Sequence, residues 1–142
     1  MARKRKGEKS PNYAAVMEYA GSIVEGRKIA CRELIQVCER FFRDLENPAY
    51  DFDPTDAEFV IRIIERTFVH AQGERLDGTP LRGTPFLLEP FHKFQVYNLL
   101  GFFHRGTRNR RFKEAFIYIP RKNGKQQKRM GTWERRKALK AL

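Results

Sequence analysis

Apolar positions recur at helical spacing through the first half of the chain. From Tyr13 to Glu25 the pattern sets Val16, Met17, Ala20, Ile23 and Val24 near one face, and Gly26 follows as a stop. Cys31 to Leu45 repeats it with Leu34, Ile35, Cys38, Phe41, Phe42 and Leu45, until Asn47-Pro48 ends the run, because the residue before a proline is pushed away from helical backbone. Asp53-Pro54-Thr55 has the order of a helix start, with Asp53 as cap and Pro54 in the first turn. Ala57, Val60, Ile61, Ile64 and Phe68 then predict a third helix, expected to pack on the second. Between Ala71 and Pro85 the periodicity gives way to Gln-Gly, Asp-Gly-Thr-Pro and Arg-Gly-Thr-Pro, which favour turns and extended backbone and suit a linker. Pro90 opens a fourth helix to about Phe103, with Phe91, Phe94, Val96, Tyr97, Leu99 and Leu100 available for packing. Past an arginine-rich loop, Ala115 to Ile119 reads as a β-strand.

That strand feeds Pro120-Arg121-Lys122-Asn123-Gly124-Lys125-Gln126, a polar turn closing on Gly-Lys. The spacing suits a phosphate. Gly124 lets the main chain approach an anion, Lys125 can neutralise β- and γ-phosphates, and a following helix would add its dipole. The full phosphate-loop pattern is G-x-x-x-x-G-K-[ST], and here Ile119 stands at the first glycine and Gln126 at the hydroxyl that would ligate Mg²⁺. On this pattern alone, a phosphate loop and an ordinary strand-to-helix turn both remain open.

The wider sequence resembles the N-terminal region of phage terminase large subunits, whose variant Walker A loop carries an early basic residue and lacks the first glycine. Arg121-Lys122-Asn123-Gly124-Lys125 is similar to that loop. Upstream, Tyr19-Ala20, Gly26 to Cys31, Arg43-Asp44-Leu45, Phe52-Asp53, Ile64-Glu65, Leu88-Glu89-Pro90-Phe91, Gly101-Phe102 and Arg110-Arg111-Phe112 fall in the family's order. The resemblance covers residues from about 10 to 125. It implies a mostly α chain, with an N-terminal helical lobe followed by the beginning of a P-loop-type α/β ATPase fold. The segments would be a basic N-terminal arm (1–12), the helical lobe (13–70), a linker (71–89), the start of the ATPase domain (90–125) and a basic tail (126–142).

The same resemblance implies a motor that hydrolyses ATP with Mg²⁺ to package double-stranded viral DNA into procapsids, with a separate nuclease domain. Its partners would be a small terminase subunit and a portal, in the cytoplasm of a bacterial host carrying a phage or prophage. Nucleotide contacts would fall on Arg121, Lys122, Asn123, Gly124, Lys125 and Gln126, with Phe91 and His92 near the adenine. In the family a glutamine after the Pro-aromatic pair reads the adenine edge, whereas this chain has His92 there and Gln95 three residues on. An imidazole cannot offer both of an amide's complementary bonds in one orientation, so His92 is open to two readings, a half-exposed helix residue or a base contact.

After Lys125 the sequence departs from the family. An apolar helix would be expected under the sheet, but Gln126 to Trp133 is polar and basic, and Glu134 is the one carboxylate in the 142 − 125 = 17 residues that follow the lysine. Hydrolysis needs a Walker B carboxylate pair and cleavage needs acidic residues around two metals. Little or no ATPase or nuclease activity is therefore expected of these residues alone. A single lost base accounts for the switch: codons AAA-ACA-ACA for Lys-Thr-Thr, short of one A, read Lys-Gln-Gln, the residues at 125–127. The expectation is a subunit truncated after its Walker A loop, with a frameshifted tail.

Composition bounds the alternatives. With 142 residues, 41% of them hydrophobic and twelve phenylalanines, the chain can bury one core. No run approaches a membrane span, and no signal-peptide core follows Arg3-Lys4-Arg5-Lys6, so a soluble cytoplasmic protein without membrane contact is expected. Cys31 and Cys38 sit two helical turns apart, too far for an unstrained disulfide, and are expected as reduced core residues rather than metal ligands. The formal charge of +12 lies wholly at the ends: residues 1–9 carry +4 and residues 121–142 carry +8, leaving the middle neutral. A second functional class follows from those ends, a small basic helical protein that holds nucleic acid or a partner subunit without catalysis. Arg105 to Arg111, with Asn109 among four arginines, reads first as a solvated loop and second as a phosphate contact.

Overall fold

Ser10 satisfies one of the loose amides at the start of the first helix by accepting the Asn12 N–H at 3.1 Å, with Pro11 in the first turn. In this computed structural model, which describes residues 10–75 and 77–118, the elements run α1 (Pro11–Val24), α2 (Arg32–Glu46), β1 (Tyr50–Phe52), α3 (Thr55–Thr67), α4 (Pro90–Leu100) and β2 (Phe102–His104). Val16, Ala20 and Ile23 of α1, Cys38 and Phe41 of α2, Ala57 and Ile61 of α3, and Phe94 and Tyr97 of α4 meet in one core. These are the positions the helical periodicity selects. Phe41 is its centre, with the rings of Phe94, Phe102 and Phe52 presented edge-on at 5.3, 5.6 and 6.2 Å. Such edge-to-face pairs add about 0.5–1.5 kcal/mol each beyond the area they bury.

The observed packing differs from expectation in several places. The third helix lies against α4, not α2, because α2 is engaged by α1 and by β1. The fourth helix ends at Leu100, and Gly101 turns the chain into β2, which pairs antiparallel with β1 as Tyr50↔His104, Asp51↔Phe103 and Phe52↔Phe102. Two strands of three residues are too short to show a period of two, so the sheet left no trace in the pattern. Cys31, expected in the core, is exposed as the residue preceding α2, whereas Cys38 is fully buried; both thiols are free.

The segment read as a linker is a ribbon that folds back on itself. His70 N–H bonds to Thr84 O, Leu81 N–H to Gly73 O, and Phe86 N–H to Phe68 O, all at 2.8–2.9 Å. Gly78, with φ of +81°, closes the Arg75-to-Thr79 turn, a backbone that a side chain would strain. Its base belongs to the body, since Phe86 and Leu88 are both buried in the core. At the other end, Ala115 to Tyr118 forms no strand, because among the described residues no neighbouring strand offers a ladder. Phe116 and Tyr118 are 91% and 86% exposed, their rings stacked at 6.5 Å and 13°. No helix among the described residues is long and apolar enough to cross a membrane.

Candidate functional site

Three groups of polar side chains are fixed by this packing. The first joins α1, α3 and α4 through Glu58. One of its carboxylate oxygens accepts the hydroxyls of Ser10 and Tyr97, and the other accepts the Asn12 amide at 2.7 Å. Asn12 Oδ1 accepts Lys93 Nζ at 2.8 Å, Lys93 pairs with Glu65 at 3.3 Å, and Glu65 accepts the Leu88 N–H at 3.1 Å. Glu58 and Glu65 lie two turns apart on α3, and Lys93 and Tyr97 one turn apart on α4, so the network follows from the contact between these helices. Burial pushes the Glu58 carboxyl up, but the Ser10, Tyr97 and Asn12 hydrogen bonds and the Lys93 charge outweigh it and hold it below the usual carboxylate value. The Tyr97 phenol is driven upward, first by burial and then by the adjacent Glu58.

Glu89-Pro90-Phe91-His92 forms the second group, at the start of α4. His92 is 4% exposed, with its ring against Phe91 at 3.7 Å between centroids and near Phe86 at 6.5 Å. The half-exposed helix residue expected at this position is instead part of the interior, because α4 turns this side toward Phe86. Phe91 is half-buried and covers it.

The third group is the arginine-rich loop after β2. Arg108 pairs with Asp53 at 3.7 Å and Arg110 with Asp56 at 3.0 Å, while Arg111 makes an ion pair with the buried Asp44 of α2. Arg105 donates to the Pro48 carbonyl at 3.0 Å. Arg111 also lies over the Tyr50 ring at 4.3 Å and the Phe112 ring at 4.8 Å, and Arg40 sits over Phe112 at 5.1 Å. Residues 104–109 are exposed, as the solvated-loop reading expects, while Arg110 and Arg111 are half-buried and tie the end of the loop to the start of α3, α2 and β1. Backbone bonds reinforce it: His104 N–H to Asn109 O at 2.9 Å and Arg111 N–H to Phe102 O at 3.0 Å. Beside it opens a shallow cleft of about 710 Å³, lined by His104, Asn109, Arg110, Phe112 and Lys113.

Of the residues the sequence nominated, Phe91 and His92 come together at one helix start, while Arg121, Lys122, Asn123, Gly124, Lys125 and Gln126 lie outside the described residues. The Glu58 network and the Asp44–Arg111 pair were missed. Their signal was present, since Asp44 stands between Phe42 and Leu45 and Glu58 beside Ala57, carboxylates set into apolar helical stretches where only a paired acid is tolerated. Among the described residues, no three His, Cys, Asp or Glu side chains converge as a metal site. No family model, curated protein or solved structure was found to match the chain.

Proposed function

We propose that residues 10–118 are the helical opening of a phage terminase large subunit, leading to a nucleotide-binding loop at Arg121 to Gln126. The single observation that carries this reading is the order of the quoted segments, from Tyr19-Ala20 through Arg110-Arg111-Phe112 to Arg121-Lys122-Asn123-Gly124-Lys125, which follows the family's order. Arg110 to Asp56 and Arg111 to the buried Asp44 tie the chain to α3 and α2 ten residues before that loop, whereas Phe116 and Tyr118 in between are exposed. The segments quoted for the resemblance also occupy structural junctions. Pro90-Phe91 begins α4, Gly101-Phe102 makes the corner between α4 and β2, and Phe52-Asp53 ends the strand opposite it and leads into α3.

In this reading Gly124 and Lys125 hold the phosphates of ATP with Mg²⁺, Arg121, Lys122, Asn123 and Gln126 complete the turn, and Phe91 with His92 backs the adenine side from within α4. The motor's carboxylates and nuclease groups belong to other parts of the intact subunit, which would act on double-stranded DNA together with a small subunit and a portal. The encoding locus tests the proposal. A small terminase gene just upstream and a portal gene downstream are expected, and a locus without any packaging or capsid gene would refute it.

A further inference from the structure

The stretch from His104 to Lys113 holds five lysines and arginines and no acid. Carboxylates from elsewhere neutralise three of the five: Asp53 meets Arg108, Asp56 meets Arg110 and Asp44 meets Arg111. Arg105 is directed to the Pro48 carbonyl, and among the described residues no carboxylate lies within ion-pair distance of Lys113 or His104. Lys113, followed in the chain by Glu114, therefore brings to the cleft of about 710 Å³ a cation that no described carboxylate meets within ion-pair distance, alongside Arg110, the Asn109 amide and the His104 imidazole. The frame beneath them is fixed by the His104–Asn109 and Arg111–Phe102 backbone bonds and by Gly106, whose φ of +71° turns the loop. Of the two lining rings, Phe112 carries two guanidinium groups and His104 lies against Tyr50 at 5.6 Å between centroids. The cleft thus offers charge and hydrogen-bond donors.

We propose that this cleft binds a phosphate group, with Lys113 and Arg110 supplying charge and Asn109 and His104 supplying orienting hydrogen bonds. This is an anion site separate from the loop at 121–126 and stands whether or not the terminase reading does. The Asp56 carboxylate on Arg110 opposes the anion, which places most of the attraction on Lys113. A phosphate here could come from a nucleic-acid backbone or from a free polyphosphate.

The full chain, titrated with inorganic tripolyphosphate and separately with a short single-stranded oligonucleotide, is followed by two-dimensional NMR. This readout separates the cleft from the basic ends. The Lys113 backbone amide, Asn109 side-chain amide and His104 ring signals are expected to move saturably. Lys113→Glu should weaken the midpoint about tenfold, the loss of one charge-assisted hydrogen bond, as should Asn109→Asp, while Lys125→Ala should leave it unchanged. If the oligonucleotide saturates these signals at lower phosphate concentration than tripolyphosphate, the source is a nucleic-acid backbone; the reverse order assigns a free polyphosphate. Shifts that rise linearly without saturation, or a midpoint unaltered in a folded Lys113→Glu protein, would overturn the proposal.

Discussion

Gly101→Ala isolates the corner on which the two-stranded sheet and α4 meet. The backbone at Gly101 has φ of −89° and ψ of −16°, which alanine adopts freely, and fewer unfolded conformations would by themselves favour the substitution by about 0.4–1 kcal/mol. Contacts decide the sign. An added Cβ would stand 2.6 Å from the Tyr97 carbonyl oxygen and 2.7 Å from Phe52 Cε2, distances that carbon atoms do not tolerate. The carbonyl cannot yield cheaply because it accepts the Gly101 N–H at 2.9 Å as the last bond of α4. The Phe52 ring is held by Phe102 at 5.0 Å and by Phe41 at 6.2 Å. Overpacking of this kind costs about 1–3 kcal/mol. Roughly 4–8 °C per kcal/mol then gives a fall in Tm of about 5–20 °C, read by thermal circular dichroism. Gly106→Ala is the control: its site is open space but its φ is +71°, so it should cost only about 1 kcal/mol, from backbone strain. In a double-mutant cycle, Phe52→Leu should make Gly101→Ala less costly than in the parent but still unfavourable, since the ring is one of two obstacles and the Tyr97 carbonyl remains. A Gly101→Ala protein that melts at or above the parent temperature would refute the packing argued for this corner.

Three other outcomes follow from the buried and polar groups. Asp44→Ala leaves the half-buried Arg111 without its acid and should destabilise the fold by about 1–3 kcal/mol in urea titration, with Arg111→Met in the same chain recovering part of the loss. The Glu58 carboxyl titrates below its ordinary value of 4.5 in the folded protein, so its contribution is present above that pH and is lost as the pH falls through the folded value. Glu58→Gln should therefore cost about 1–2 kcal/mol at pH 7, and its gap from the parent should close on acidification rather than widen. Burial, and secondarily Glu39, pushes the Cys38 thiol up to about 11, whereas Cys31 is exposed; a thiol reagent at pH 7.5 should modify Cys31 promptly and reach Cys38 only on unfolding, as mass spectrometry of the peptides would report.

The four helices were legible because each carries several apolar residues at a spacing only one geometry explains. The Ser10 cap before Pro11 is local too, whereas α3 starts at Thr55 with Pro54 at its cap, one residue later than read, and Asp53 accepts the Thr55 N–H at 3.0 Å from just outside it. Partner choice was not legible. Whether α3 lies on α2 or α4 depends on which apolar faces are already covered, and Glu58 and Glu65 meeting Lys93 and Tyr97 could be inferred only once that choice was known. The same holds for the arginine loop, where Arg110 and Arg111 stand out in the sequence but their partners Asp56 and Asp44 lie 54 and 67 residues away. Of the nominated nucleotide residues, Phe91 and His92 were placed at a helix start, and burial of the imidazole depended on Phe86, a residue from the stretch read as a linker.

We propose that the turn at Arg121 to Lys125 descends from a motor's phosphate loop. Sequencing the encoding DNA and restoring one base to the adenine run after the Gly124 codon tests it most directly. The predicted result is a continuing frame that encodes a hydroxyl residue at 126, an apolar helix, a hydrophobic strand ending in Asp-Glu, and then an acidic nuclease cluster. A restored frame that meets stop codons at once, or that encodes none of these, would contradict it.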